Sequence, residues 1–248
     1  MAEDVAAQIA ELKRALDALR PLSGAALAQL QKHFDVELTF TSNAIEGNTL
    51  TLRETAEVIE HGITVGGKSL REHLEALDHY DALLWMRELA SGAAPVGEGT
   101  ICELHRRIVA RSRPQIAGVY SLLPRRVAGS PAVFPNPAKI PDLMAALGRW
   151  LEAAEASPEV AFEAHFRLTA IHPFADGNGR TARLLMNLVL LRAGYPPLAI
   201  RPEDRAAYLA ALETGSTTDD LRPYHALMSR RLAETLAAYV TVLEESAG

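Results

Sequence analysis

The sequence predicts an all-α protein, and three features of its 248 residues point to this fold class. Stretches rich in alanine and leucine, with charged residues interspersed, recur along the chain and contain few β-branched residues. Prolines and glycines are concentrated between these stretches, where they mark turns. Apolar residues make up 48% of the sequence and charged residues 23%, the balance of a globular chain with a sizeable core.

Four helices are predicted in the N-terminal part of the chain. Residues 5–20 and 25–40 have the helical composition just described. The tetrapeptides 51–54 and 69–72 both have the S/T-x-x-E spacing, in which a hydroxyl and a carboxylate satisfy free backbone donors at a helix start. They predict two further helices, which we expect to end near residues 61 and 90.

A break in the helical pattern follows. Residues 91–99, rich in Gly, Ala and Pro, predict a loop that separates an N-terminal helical region, residues 1–90, from a second region, residues 91–248. Six prolines from position 114 to position 141 forbid a long helix there. Within this segment, the triplets 118–120 and 126–128 are predicted to pair as a short β-hairpin.

Helical signals return in the C-terminal part. Pro141 suits the first position of a helix, and Ser157 followed by Pro158 has the sequence of an N-cap and first turn. Gly194, shortly before two prolines, marks a helix end. The predicted helices cover residues 142–156, 158–171, about 180–194, 203–213 and 220–242.

Charge and cysteine content exclude several classes of function. The formal charge of −6 gives no overall basic field, so we expect no nucleic-acid partner. Cys102 is the only cysteine, which excludes a disulfide framework and a zinc site of several thiolates and favours a reducing, cytoplasmic setting. The first 20 residues lack a basic start followed by an apolar run, so we expect no signal peptide and no membrane association.

The segment HPFADGNGRTAR, residues 172–183, lies between two predicted helices. Gly177 and Gly179 remove side-chain obstruction, so successive backbone N–H groups can point into one concavity at the positive end of the following helix. Such a helix start binds phosphate. The spacing therefore predicts an anion site at this turn.

Four side chains of the same segment suggest what the anion site does. Arg180 and Arg183, three residues apart, can lie near one anion and indicate a polyphosphate. Asp176 adds a carboxylate among anions, which predicts a shared divalent cation such as Mg²⁺. His172 can take the proton from an attacking hydroxyl. Each residue alone is equally typical of an ordinary turn or a solvated helix start, but together they predict hydroxyl-to-phosphate transfer.

The segment matches the Fic motif H-x-F-x-[D/E]-G-N-G-R-x-x-R at every fixed position. These positions are His172, Phe174, Asp176, Gly177, Asn178, Gly179, Arg180 and Arg183. The resemblance extends from about residue 34 to about residue 227, and the proline-rich segment resembles the flap of that family, a hairpin that aligns the target. It implies a Fic-type helical bundle with residues 91–248 as the catalytic core. One departure is Ser121, which follows Gly118-Val-Tyr120 where many relatives have arginine.

The resemblance implies a protein adenylyltransferase that moves AMP from ATP to a Tyr, Ser or Thr hydroxyl of a target protein. His172 would be the general base and Asp176 the Mg²⁺ ligand. Asn178, with the amides of its neighbours Gly177 and Gly179, would hold the α-phosphate. Arg180 would contact the α- and β-phosphates, and Arg183 the γ-phosphate. Tyr208 resembles a tyrosine that flanks the base pocket in relatives, although a packed aromatic is as good an interpretation.

Residues 42–47, SNAIEG, resemble the inhibitory motif [S/T]-x-x-x-E-[G/N] of class II Fic proteins. Ser42 and Glu46 are four residues apart on a helix and so share a face. In the family, the glutamate pairs with the second arginine of the motif, here Arg183, and blocks productive placement of the γ-phosphate. An acidic residue before glycine is also an ordinary helix end, and this alternative stays open.

Three alternatives to AMP transfer remain at this point. The same fold could transfer UMP or phosphocholine, it could remove AMP by hydrolysis with Glu46 positioning a water, or it could sense nucleotide without catalysis. The intact His172 argues against a sensor, which would not need a base. A homodimer is compatible with the sequence, which does not specify the target protein.

Overall fold

The computed structural model describes residues 2–20, 24–126 and 132–247. Ten α-helices within these ranges carry the fold and confirm the all-α prediction. Their bounds are α1 Ala2–Ala18, α2 Gly24–Ile45, α3 Leu52–His61, α4 Leu70–Ser91, α5 Glu98–Ile108, α6 Ile140–Ala153, α7 Pro158–Ile171, α8 Asn178–Arg192, α9 Arg205–Thr218 and α10 Arg222–Ala247.

The two predicted capping boxes form. The Glu54 N–H donates to Thr51 Oγ1 at 3.2 Å, and the Thr51 N–H donates back to Glu54 Oε2 at 2.7 Å. Ser69 and Glu72 make the same reciprocal pair, at 3.3 and 2.8 Å. These bonds satisfy donors that the first helical turn leaves free, so α3 and α4 begin where the sequence predicts.

Several helices differ from the prediction, and α9 and α10 end at Thr218 and Ala247, each five residues beyond the predicted end. α2 continues to Ile45, past residue 40 where composition predicts its end, as the inhibitory motif at residues 42–47 implies, and α5 was not predicted at all. The N-cap of α5 is Gly97, which has no side chain to signal a helix start. The helix forms because Ile101, Leu104 and Ile108, all on one face, are fully buried in the core.

The predicted hairpin is described only in part. Tyr120 forms an antiparallel bridge with Phe174, and the Ser121 N–H donates to the Pro173 carbonyl at 2.8 Å. The first triplet of the hairpin therefore contacts the motif loop. Residues 127 and 128 of the second triplet lie outside the described residues.

Helix α8 lies at the centre of the core. Residues 180–190 are buried without exception, as expected for a helix surrounded by others. α8 packs most extensively on α7 and also contacts α2, α4 and α5. Leu83 of α4 and Leu168 of α7 belong to one buried cluster, so residues on both sides of position 91 share a core. The boundary at that position stays a prediction.

The end of α2 is brought to the start of α8 by contacts along α2. Arg87 Nε of α4 donates to the buried Asp35 Oδ1 at 2.8 Å. The Phe34 ring stacks on Tyr239 of α10, with 4.0 Å between ring centroids. These contacts fix α2 against its neighbours and present its C-terminal end to the motif. Within the described ranges, no helix has the length and apolar content needed to cross a bilayer.

Candidate active site

The motif loop begins and ends in left-handed backbone conformations. His172 caps α7 with φ 50° and donates its N–H to the Leu168 carbonyl at 3.0 Å. Gly177 has φ 77° and immediately precedes α8. A Cβ at Gly177 would lie 3.3 Å from a Val109 methyl group and would be strained at that φ. Glycine is therefore required at this position for both conformation and space.

Asn178 ties the loop together. Its Oδ1 accepts the Phe174 N–H at 2.9 Å, and its Nδ2 donates to the Phe174 carbonyl at 2.9 Å. Phe174 itself is completely buried, as expected for an anchor. Because both polar atoms of the Asn178 amide bond the Phe174 backbone, this side chain stabilises the conformation of the loop. Its predicted contact with an α-phosphate stays a prediction.

His105 is a supporting residue that the sequence did not reveal. Its ring lies parallel to Phe174 with 3.7 Å between centroids. Nδ1 accepts the Gly118 N–H at 3.0 Å, so Nε2 carries the proton and donates to the Asp176 carbonyl at 2.9 Å. Burial lowers the pKa of His105 to about 4, so this neutral tautomer persists at physiological pH. It joins the proline-rich segment to the motif loop.

Arg183 and the end of α2 make the contact expected of an inhibitory helix. Arg183 Nη2 donates to Glu46 Oε1 at 2.7 Å and to the Ser42 carbonyl at 2.8 Å. Its Nε donates to Ser42 Oγ at 2.9 Å. The guanidinium is almost fully buried, whereas 40% of the Glu46 side chain is exposed. Arg183 is therefore held in place by its surroundings, whereas the more exposed Glu46 side chain has room to move away from it.

Two further residues shape this contact, and neither stood out in the sequence as part of it. Arg205 Nε donates to the Ile45 carbonyl at 2.7 Å, which holds the last turn of α2. A Cβ at Gly179 would meet Glu46 Oε1 at only 2.3 Å. Glycine at position 179 thus makes room for the Glu46 carboxylate.

Tyr208 lies in a hydrogen-bonded chain behind Arg183. The Tyr208 hydroxyl is a close electrostatic neighbour of the guanidinium and lies 2.9 Å from His165 Nε2. His165 Nδ1 lies 2.9 Å from the Tyr224 hydroxyl, which donates to the Phe162 carbonyl at 2.9 Å. Because the Tyr224 hydroxyl donates to a carbonyl, it accepts from His165 Nδ1, and His165 Nε2 accepts from the Tyr208 hydroxyl. Burial lowers the pKa of His165 to about 3, which keeps the ring neutral as these bonds require.

Tyr208 is therefore a buried neighbour of Arg183. Its ring is 1% exposed, whereas the neighbouring Leu209 is 41% exposed and lines the same cavity. The predicted role of Tyr208 beside a nucleotide base stays a prediction, and Leu209 presents more surface to a bound base.

The remaining motif charges gather at the start of α8. Arg180 is 2% exposed, and its Nη2 lies 3.7 Å from Asp176 Oδ1. Its Nε and Nη1 find no hydrogen-bond partner among the described residues. Asp176 Oδ1 accepts the Gly177 N–H at 2.6 Å, and Oδ2 lies 3.0 Å from Arg113 Nε. A buried guanidinium with donors that make no hydrogen bond, beside a helix N-terminus, is suited to an anion.

His172 and Arg183 line one cavity of about 520 Å³, together with Glu46, Gly179 and Tyr208. The Phe134 ring packs on His172 with 4.2 Å between centroids. Burial lowers the pKa of the imidazole, which makes the neutral, proton-accepting form available at lower pH. The structure thus brings His172, Glu46 and Arg183 to the same space.

Two other features lie apart from this arrangement. A larger groove of about 820 Å³, between α2, α3 and α10, contains no motif residue. Among the described residues, no cluster of three or more His, Cys, Asp and Glu side chains could hold a metal ion. The predicted role of Asp176 as a metal ligand stays a prediction.

Comparison with known proteins gives consistent similarities. The profile of the Fic/DOC family matches residues 95–190. A crystal structure of a Fic domain containing signaling protein from Bacteroides thetaiotaomicron superimposes with TM-score 0.87 and 32% identity, covering 96% of this chain and 97% of that one. Fic-1 (aa134 - 508) from C. elegans superimposes with TM-score 0.85 and 30% identity, over 99% of this chain and 74% of that one.

Curated relatives agree with the structures. Protein adenylyltransferase Fic of Nematostella vectensis is 39% identical over 208 residues, which is 81% of this chain and 48% of the relative. The chain thus spans about half the length of the curated relatives it matches. Because the similarity includes nearly the full length of one solved Fic structure and the motif keeps every fixed residue, the chain belongs to the Fic family.

Proposed function

We propose that this chain transfers AMP from ATP to a hydroxyl of a target protein and that Glu46 restrains the reaction. One observation carries the proposal. The base candidate His172 and the Arg183–Glu46 pair line the same cavity, at the N-terminus of the helix that carries the motif arginines. Relatives named protein adenylyltransferase, 35 to 39% identical, support the choice of reaction.

The phosphate groups would lie over the start of α8. Backbone N–H groups and the helix dipole favour an anion there, and Arg180 offers two buried nitrogens that make no hydrogen bond within the described residues, although Nη1 lies 3.9 Å from Glu75 Oε1. Arg183 would orient the far end of the triphosphate once Glu46 leaves it. ATP is therefore the proposed substrate, with Gly177, Asn178 and Gly179 supplying the turn that receives it.

Asp176 fits a Mg²⁺ ion that enters with the nucleotide. Mg²⁺ takes oxygen ligands, keeps several waters, and is commonly held by one or two protein carboxylates plus substrate phosphates. A single carboxylate beside a phosphate site meets that description, whereas a resident all-protein site would need more ligands. When bound, the ion would neutralise charge on the phosphate oxygens.

In the chemical step, the target hydroxyl attacks the α-phosphorus and His172 takes its proton. A new O–P bond forms to the target, and the bond from the α-phosphorus to the bridging oxygen breaks, so that pyrophosphate leaves. Burial keeps His172 neutral before the step, and Phe134 fixes its ring. The proposed acceptor is a Tyr, Ser or Thr side chain of a protein in the cytoplasm.

Mass spectrometry of lysate incubated with ATP and the Glu46→Gly variant tests this function. We expect AMP adducts on hydroxyl side chains of lysate proteins or of the chain itself. The Glu46→Gly, His172→Ala double variant is the matched control and should give none. A different adduct mass would reassign the reaction to another nucleotide or group. The absence of any adduct above the control would refute transfer.

Replacing Asp176 with alanine should lower the rate of AMP transfer on the order of tenfold and raise the Mg²⁺ concentration needed for half-maximal rate, because the cation would lose its protein ligand. Metal titrations of Glu46→Gly and of Glu46→Gly, Asp176→Ala with labelled ATP measure both effects. Asp142→Ala, which alters a carboxylate in the first turn of α6, is the control. Unchanged metal dependence would remove Asp176 from the metal site.

The pH dependence should reflect the lowered pKa of His172. A base must be unprotonated, so transfer by Glu46→Gly should be fully active above the ordinary histidine pKa of about 6.5. The rate of transfer should fall only when the pH drops through the lowered pKa of His172. Rate profiles of kcat/KM for ATP from about pH 5 to 8 measure this limb. An acid limb centred above pH 7 would contradict the assignment of His172 as base.

A further inference from the structure

The Asp176 carboxylate is occupied by protein groups on both oxygens. Oδ1 accepts the Gly177 N–H at 2.6 Å, and Oδ2 lies 3.0 Å from Arg113 Nε. Arg180 stands farther away, with 3.7 Å between its Nη2 and Oδ1. The carboxylate that would ligate a cation is thus already paired with a positive charge from outside the motif.

Arg113 is held in place by its backbone while its side chain stays accessible. It follows α5, where its N–H donates to the Val109 carbonyl at 3.0 Å. The buried Asp78 carboxylate accepts the N–H groups of the two preceding residues, Arg111 and Ser112, at 2.8 to 3.0 Å. The Arg113 side chain is 35% exposed, so it can leave the carboxylate without disturbing this anchor.

The contact is an ion pair without an aligned hydrogen bond. Arg113 Nε lies 3.0 Å from Asp176 Oδ2, but its N–H does not point at this oxygen or at any other acceptor among the described residues. Nε itself is buried, but both side chains are about one-third exposed, and pairs near the surface contribute little to stability. A divalent cation that uses Oδ2 would meet the guanidinium there, and the two positive charges would repel each other.

We propose that Arg113 is the resident counter-ion of Asp176 and that a divalent cation must displace it. Arg113 is then a positioning residue that lowers the affinity of Asp176 for free metal. The inference rests on the proposed function for the identity of the metal ligand. It follows that metal binds weakly before nucleotide and enters chiefly with the triphosphate, whose negative charge offsets the repulsion.

Titration of the chain with Mn²⁺ alone, without nucleotide, tests the proposal by isothermal calorimetry or by the electron paramagnetic resonance signal of free Mn²⁺. Arg113→Met removes the charge and keeps the length of the side chain, and it should bind Mn²⁺ at least about fivefold more tightly than wild type. Arg113→Lys keeps the charge and should stay near wild type. Asp176→Asn should abolish the gain in the Arg113→Met background.

Arg106→Met is the matched control for net charge. Arg106 lies on α5, is 55% exposed and pairs with Glu103 of the same helix, so its removal should leave Mn²⁺ affinity unchanged. Thermal unfolding of each variant reports on the fold. Equal or weaker Mn²⁺ binding by folded Arg113→Met, or a gain equal to that of Arg106→Met, would overturn the proposal. The Mn²⁺ titration does not measure AMP transfer. If transfer fails while Arg113→Met still binds Mn²⁺ more tightly, the proposed function is refuted but the role of Arg113 is not.

Discussion

Replacing His172 with alanine is expected to lower the rate of AMP transfer by roughly 10² to 10⁴-fold, the usual contribution of a general base. Binding of ATP should persist, because the phosphate site at the start of α8 does not use the imidazole. The ring lies in the same cavity as Arg183 and is fixed by stacking on Phe134. Calorimetry with ATP and a labelled-ATP rate assay on one preparation, both in the Glu46→Gly background, measure the two quantities.

His61 provides the control for this change. It is exposed at the last turn of α3, so His61→Ala should leave both binding and rate unchanged. Retention of full activity by His172→Ala would exclude the imidazole as the base. Loss of ATP binding together with the rate would instead show that His172 supports the site structurally.

Replacing Glu46 with glycine is expected to raise the rate of self- or target-modification by at least about tenfold, which corresponds to roughly 1.4 kcal/mol between blocked and productive ATP poses. Glu46 Oε1 holds Arg183 Nη2 at 2.7 Å, a donor that a γ-phosphate would need. Wild type should still bind nucleotide, since Arg180 takes no part in this contact.

A mutant cycle with Arg183→Ala identifies the pair as the cause. The double variant Glu46→Gly, Arg183→Ala should lose most of the gain, because the released arginine is itself what orients the triphosphate. Glu46→Gln removes the charge but keeps the side chain, whereas Glu46→Gly also frees the backbone. Glu46→Gln should therefore raise the rate less than Glu46→Gly. Initial rates with α-labelled ATP for wild type and the variants decide the question. If Glu46→Gly is no faster than wild type, Glu46 is only a helix end.

Local signals predicted much of the fold. The capping boxes at Thr51 and Ser69 fixed two helix starts, because the bonds that form them lie within four residues. α5 escaped prediction because its start is a glycine and its stability comes from tertiary burial of one apolar face. The end of α2 extended for a similar reason, since Ile45 is buried in the main core.

The site shows the same division between local and distant causes. The motif places His172, Asp176, Arg180 and Arg183 within one loop and one helical turn, so their proximity followed from sequence spacing. Partners from elsewhere could not be found in this way. His105 reaches Asp176 across 71 positions in sequence, and its tautomer depends on a backbone donor from a third segment. Arg113 likewise reaches Asp176 only through the fold.

The Glu46–Arg183 contact also bears on how firmly the chain is folded. Arg183 is a buried cation, and leaving such a group without its charged partner destabilises a protein. Glu46→Gly removes that partner and leaves the neutral Ser42 bonded to the guanidinium, with Tyr208 as a close neighbour. The released form should therefore unfold at lower temperature than wild type when nucleotide is absent, and bound ATP should restore stability by mass action. If Glu46 restrains transfer as proposed, one carboxylate supplies both this restraint and resistance to unfolding, and removing it would weaken both.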